Sequence, residues 1–205
     1  MLDTRPLLLK TDFPAINRDV LETLQVNLGY KCNLSCTHCH VNAGPARIEQ
    51  MDKNTVDLVL EFIRKHAVKA LDLTGGAPEL NPHFKYLVKE ARSTGIKVID
   101  RCNLTILGEP GFEDMSAFLA EQGVTITASL PCYSEHNVEK QRGKGVYWES
   151  IAALKTLNAL GYGSDSDKEL NLVFNPDGLN LPPAQKELEE NYKKELLVQH
   201  DIVFN

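Results

Sequence analysis

Tyr30-Lys31-Cys32-Asn33-Leu34-Ser35-Cys36-Thr37-His38-Cys39-His40 places three cysteines at the spacing Cys-x3-Cys-x2-Cys within eight residues. Thiolates so close together are first of all metal ligands. Soft sulfur selects zinc or iron–sulfur iron over hard cations. Iron–sulfur clusters are held by such short cysteine-rich runs, ordinarily with four cysteines, and this run supplies three. A cube of four irons held at three corners keeps one iron open, able to hold a substrate as well as pass an electron. Two other readings stay open. His38 or His40 completes a closed Cys3His zinc site, or the thiols form a disulfide, which the short separation of Cys32 and Cys36 and the odd total of five cysteines disfavour.

Outward from the run, Leu24, Val26 and Leu28 alternate with Gln25 and Asn27, so Thr23 to Leu28 reads as a strand feeding the cysteine loop. Beyond the loop, Asp52 is a plausible N-cap, and Val56, Val59, Leu60, Ile63 and Ala67 recur at the spacing of an amphipathic helix. A strand at Ala70 to Thr74 then ends in Gly75-Gly76-Ala77-Pro78-Glu79, and a helix carrying Phe84, Leu87, Val88 and Ala91 on one face closes at Gly95. The unit repeats: strand Ile96 to Arg101 with helix Glu113 to Gln122, and strand Val124 to Leu130 with, after a long loop, helix Tyr147 to Leu160. Strand Leu170 to Phe174 leads to a helix from Pro183, a residue suited to a first turn, to Val198. Ile202 to Phe204 reads as a sixth strand. Residues 1–22 are expected to be an irregular lead-in and residues 23–205 one core domain. That domain is expected to be truncated after strand six, since no helix follows to cover the strand.

Strands alternating with helices imply an α/β fold with a parallel sheet. Parallel strands buried on both faces are unbroken apolar runs, whereas here Leu71 and Leu73 flank Asp72, and Val124, Ile126 and Ala128 alternate with Thr125, Thr127 and Ser129. One face meets helices, so the other is expected to line a wet lumen, which favours a partial (β/α)6 TIM-like barrel over an open doubly wound sheet. Chemistry in such barrels sits on the loops after the strands. The cysteine run follows strand one and the double glycine follows strand two, so both open onto one mouth.

A net charge of −6 with scattered lysines and arginines argues against a nucleic-acid partner. Met1 to Lys10 contains only a brief Leu7-Leu8-Leu9, too short for a signal-peptide core. No window approaches the apolar length of a membrane span, so a cytoplasmic location is expected.

Cys32, Cys36 and Cys39 followed by Gly75-Gly76 resemble the signature of the radical S-adenosylmethionine (SAM) superfamily, with Ala77-Pro78-Glu79 where that family has Glu-Pro. The resemblance implies that the three cysteines bind a 4Fe–4S cluster whose fourth iron is chelated by SAM. One electron then cleaves SAM to methionine and a 5′-deoxyadenosyl radical, and a low-potential donor such as flavodoxin or ferredoxin supplies that electron. It further implies SAM contacts from His38 beside the last cysteine, from Gly75, Gly76, Ala77, Pro78 and Glu79, and from Asn103 and Ser129. His136 to Gly145 resembles the His-Asp-x2-3-Arg-Gly-x-Gly segment of members related to peptide-maturing enzymes, in which Arg142 is a carboxylate clamp; a solvated turn is the other reading of that segment. The opening Met1 to Pro6, Leu73 to Leu80, Arg101 to Thr105, Ser129 to Tyr133 and Asn171 to Pro176 resemble the arsenosugar biosynthesis radical SAM proteins, which continue past the barrel.

That likeness implies transfer of the deoxyadenosyl group to a trivalent methylated arsenical. Cys132 and Cys102 are then the thiols a thiophilic arsenic would meet, although strand parity turns both toward the helices and only Pro131 relieves Cys132. A peptide or other small-molecule substrate and a non-catalytic Cys3His domain stay as alternatives. Replacing Cys32, Cys36 or Cys39 by Ala is expected to abolish cluster assembly, and iron and sulfide analysis of each variant checks this.

Overall fold

The computed structural model describes residues 3–14, 16, 17, 19–176 and 181–205. Met1 and Leu2 of the opening string lie outside the described residues. Five strands form one sheet, all parallel and in chain order: β1 (Thr23–Asn27), β2 (Ala70–Thr74), β3 (Lys97–Asp100), β4 (Thr125–Ser129) and β5 (Leu170–Val173). Seven helices accompany them among the described residues. These are α1 (Arg5–Leu8), α2 (Lys53–Lys65), α3 (Phe84–Ser93), α4 (Met115–Glu121), α5 (Glu135–Arg142), α6 (Val146–Ala159) and α7 (Gln185–His200). The lead-in thus holds one helical turn, α1, in which no residue is buried.

The fold is the expected α/β partial barrel, and its two sheet faces divide as the alternation requires. Leu71, Leu73, Val98, Ile126 and Ala128 are fully buried in the core. The intervening positions carry Gln25, Asp72 and Arg101, joined across strands: Gln25 Nε2 donates to Asp72 at 2.8 Å, and Arg101 donates to both Asp72 oxygens from Nε and Nη2, each at 2.8 Å. One helix start follows the sequence and one does not: Pro183, expected in a first turn, lies before Ala184, the N-cap of α7. Asp52 accepts the Thr55 N–H at 2.8 Å at the start of α2, satisfying a donor that the first helical turn leaves orphaned.

Two elements differ from expectation. Residues 202–204 form no strand: the Val203 N–H goes to the Asn158 side chain, and β5 is reached through Asn205, whose N–H donates to Leu170 O and whose Oδ1 accepts the Leu170 N–H at 2.7 Å. The long loop after β4 contains α5, which periodicity misses because its buried face is Val138, Gln141 and Arg142, two of them polar.

Loops at the mouth are tied by Asn81, a buried residue just past the turn Pro78–Leu80. Its amide donates to Leu28 O at 3.0 Å and Met51 O at 2.9 Å, and its oxygen accepts the His83 N–H at 2.8 Å. Asn81→Ala is expected to cost about 2 kcal/mol by stranding buried backbone groups, measured as a lower denaturant midpoint at unchanged slope.

Candidate functional site

The loop after β1 is shaped by backbone bonds at both ends. The Tyr30 N–H donates to Glu49 O at 2.9 Å, the Gly44 N–H to Tyr30 O at 3.0 Å and the Cys32 N–H to Gly44 O at 3.2 Å. This closed loop turns the cysteines inward, and all three thiols are free. Cys32 is buried, which holds its thiol above the ordinary range, while Cys36 and Cys39 face a cavity of about 530 Å³. N–H donors aim at the sulfurs: Asn103 Nδ2 lies 3.4 Å from Cys32 Sγ, and the Ala43 N–H lies 3.3 Å from Cys39 Sγ. Such donors are the outer shell that orients and tunes metal-bound sulfur.

A single tetrahedral zinc would draw its ligand atoms to about 3.8 Å of one another, given metal–sulfur bonds near 2.3 Å. Among the described residues the three-membered group of ligand atoms within 4.8 Å lies elsewhere, at Glu79, Asp100 and Cys102. The wider-set thiols of the run, with the histidines beside them, therefore fit the corners of a multi-iron cluster better than one closed ion.

Opposite the cysteines, the cavity is walled by the ends of the strands, with Gln25, Thr74, Gly75, Arg101, Thr127, Ser129 and Asn175 contributing. Arg142, the last residue of α5, is 4% exposed and also lines it. Its Nη1 donates to Ser129 O, its Nη2 donates to Asn103 O at 3.0 Å, and its Nε has no hydrogen-bond partner among the described residues. A buried guanidinium with an unspent donor calls for an anionic oxygen. Burial, then the charge of Arg142, holds the His38 imidazole below its usual range.

Of the expected contacts, His38, Gly75, Ser129 and Arg142 line the cavity beside Cys36 and Cys39. The others sit differently. Asn103 is turned to the cysteine loop, where its amide also donates to Asn33 Oδ1 at 2.7 Å. Gly76, Ala77, Pro78 and Glu79 do not line the cavity. The Gly76 N–H donates to Gly29 O and the Ala77 N–H to Lys31 O, both at 2.9 Å, so this turn lies backbone to backbone against the cysteine loop. A Cβ on Gly75, at φ +140°, would meet Gly29 O at 2.5 Å, and one on Gly76 would come within 2.8 Å of the Lys31 carbonyl carbon. Gly76 therefore serves loop packing, while Gly75 both packs there and lines the cavity. Glu79 and Cys102 are buried in the core, out of reach of a substrate in the cavity. Cys132 is partly exposed and does not line the cavity as its neighbour Pro131 does, and its sulfur lies 3.5 Å from both the Ser134 hydroxyl and Asn137 Nδ2.

Sequence reasoning missed Gln141. Its backbone oxygen accepts the Thr37 N–H at 3.0 Å, and its side chain exchanges hydrogen bonds with Asn175, coupling the cysteine loop to the end of β5. Its only signal was adjacency to Arg142.

Residues 26–175 match the family model of the Radical SAM superfamily. The chain is 32% identical over 80 residues to a probable GTP 3′,8-cyclase of Metallosphaera sedula, covering 38% of this chain and 25% of that protein. It is 25% identical over 156 residues to the corresponding protein of Saccharolobus solfataricus, covering 76% and 48%. It is also 28% identical over 128 residues to the sporulation killing factor maturation protein SkfB of Bacillus subtilis, covering 62% and 30%. The chain thus spans a quarter to about half the length of these relatives. Among solved structures, SuiB of Streptococcus suis bound to S-adenosylmethionine superposes with a TM-score of 0.66 at 15% identity, over 89% of this chain and 39% of that one. At that identity the likeness shows the fold. Gly76→Ala is expected to cost about 1–3 kcal/mol by overpacking and to lower cluster iron retained per chain, read from melting temperature and iron content together.

Proposed function

The chain belongs to the radical SAM superfamily, and on that premise we propose that it transfers the 5′-deoxyadenosyl group of SAM to a trivalent methylated arsenical. In this family a 4Fe–4S cluster, when bound, supplies the electron that cleaves SAM to methionine and the deoxyadenosyl radical. In this chain Cys32, Cys36 and Cys39 hold the cluster, and Asn103 and the Ala43 N–H donate to the sulfurs of Cys32 and Cys39. Arg142 lines the cavity and sets its guanidinium charge toward the SAM carboxylate, with Nη1 and Nη2 held on Ser129 O and Asn103 O. Asn103 thereby links the carboxylate clamp to the first cysteine. Gly75 and Ser129 wall the same cavity, and its volume of about 530 Å³ lies in the range of small-molecule sites.

The observation that carries the arsenical reading is the convergence of the strings that resemble arsenosugar-forming proteins. Arg101, Asn103, Ser129, Pro131 and Asn175 come from three separate strings, and each lines the cavity or bonds to a residue of the cysteine loop. Addition of the 5′ radical to trivalent arsenic there would form the carbon–arsenic bond, and the arsenic-centred radical would reach the pentavalent adduct by giving one electron back to the cluster that spent one on SAM cleavage, while the lumen face of Gln25, Asp72 and Arg101 holds the substrate's polar side. The thiols of Cys102 and Cys132 have no part in this reading. A peptide substrate is the second reading, favoured by the relative SkfB, whose name is that of a maturation protein. Among the described residues no helix is long and apolar enough to cross a membrane. A cytoplasmic location and service by a flavodoxin or ferredoxin are part of the same proposal.

Anaerobic reconstitution with SAM, a reductant and dimethylarsinite, followed by mass analysis, is expected to yield a deoxyadenosyl arsenical. Recovery of 5′-deoxyadenosine alone would remove the arsenical reading and leave the superfamily assignment intact. Arg142→Lys, which keeps charge and loses the planar fork, is expected to weaken SAM binding about tenfold or more. An anaerobic titration checks this.

A further inference from the structure

Three side chains that the cavity chemistry does not use converge inside the core. Glu79, from the turn after β2, and Asp100 and Cys102, from the end of β3, place one ligand atom each within 4.8 Å of one another. They are 3%, 0% and 0% exposed. Outside this trio none of the four carboxylate oxygens of Glu79 and Asp100 has a hydrogen-bond partner among the described residues, and within it Glu79 meets both the Asp100 carboxyl and the Cys102 thiol. Asp72, close by on the other sheet face, is by contrast fully engaged by Gln25 and Arg101. Two dry carboxyls in contact with no outside donor hold protons or a cation between them, because burying an uncompensated ion costs several kcal/mol even after relaxation.

We propose that Glu79, Asp100 and Cys102 bind a divalent cation of the zinc class, at a second metal site separate from the cysteine run. The donor set is two oxygens and one sulfur, which zinc accepts and which calcium and magnesium, taking oxygen alone, do not. The sulfur is already presented as an acceptor: the Leu104 N–H, in a residue at φ +67°, lies 3.3 Å from Cys102 Sγ. An N–H from two residues beyond a cysteine is an outer-shell contact suited to a metal-bound thiolate.

The site joins the two segments that brace the cysteine loop from behind. Glu79 follows Gly76 and Ala77, whose N–H groups bind Gly29 O and Lys31 O. Cys102 precedes Asn103, whose amide donates to Cys32 Sγ and Asn33. An ion here fastens the turn after β2 to the turn after β3, and it stands whether or not the substrate is an arsenical.

The test counts metals on the full chain, grown with zinc and purified without chelator before anaerobic cluster assembly. About one zinc per chain is expected beside the cluster iron, with a zinc-edge absorption shell of one sulfur at about 2.3 Å and otherwise oxygen or nitrogen. Cys102→Ser and Glu79→Gln are expected to lower retained zinc about tenfold or more, and Cys32→Ala to leave it in place. A shell of three sulfurs would put the zinc in the cysteine run and overturn the proposal. So would a folded chain without zinc whose infrared spectrum shows a protonated carboxyl band removed by Glu79→Gln, since the pair then shares protons. The count on the unmodified chain decides the matter even where a variant does not fold.

Discussion

Everything at the mouth depends on two loops lying backbone against backbone. The turn after β2 donates N–H groups from Gly76 and Ala77 to the carbonyls of Gly29 and Lys31, and the loop that follows carries Cys32, Cys36 and Cys39. Contact that close leaves no room for side chains, which is why Gly75 and Gly76 stand there. The pairing of β1 with β2 sets the register, Asn27 opposite Thr74, and the loops begin one residue later on each strand. Cysteine geometry is therefore an extension of the sheet's own hydrogen-bond ladder, stiff where a cluster needs fixed corners.

The same strands keep two interiors apart. Toward the helices lies an apolar layer including Leu71, Leu73, Val98 and Ile126; toward the lumen lies a polar one in which Asp72 is gripped by Gln25 and Arg101. Asp100 breaks the division. Its position puts a carboxyl into the apolar layer, beside Glu79 and Cys102, where no donor from outside this trio meets it. A carboxylate in that layer is stable only with a proton or a cation, so the exception in the pattern is informative about chemistry.

The short helix α5 closes the mouth from the other side. Arg142 reaches Ser129 O and Asn103 O, and Gln141 reaches Thr37 and Asn175, so one helix end touches the cysteine loop and the ends of three strands or their following loops. A cation fixed by backbone carbonyls has little rotamer freedom left to lose when an anion binds, which is preorganisation in the ordinary sense. Asn103 belongs to both halves of this arrangement, its carbonyl on Arg142 and its amide on Cys32.

Legible along the chain alone are the alternation of strands and helices, the polar lumen, the N-cap of α2 and the placing of the cysteine run and double glycine at one mouth. These follow from local signals: side-chain period, caps, and ligand spacing along the chain. The sequence does not reveal α5, two of whose three buried residues are polar and so leave no apolar period, nor the fate of residues 202–204, where the Ile202 N–H goes to Leu196 O and the Val203 N–H to the Asn158 side chain. It could not assign partners either. Asn103 faces a cysteine, Glu79 turns into the core toward residues some twenty positions away, and Gln141 bridges Thr37 to Asn175. Only the tertiary structure decides such pairings, because which polar atoms meet depends on how β2, β3 and α5 pack in space and not on their separation along the chain.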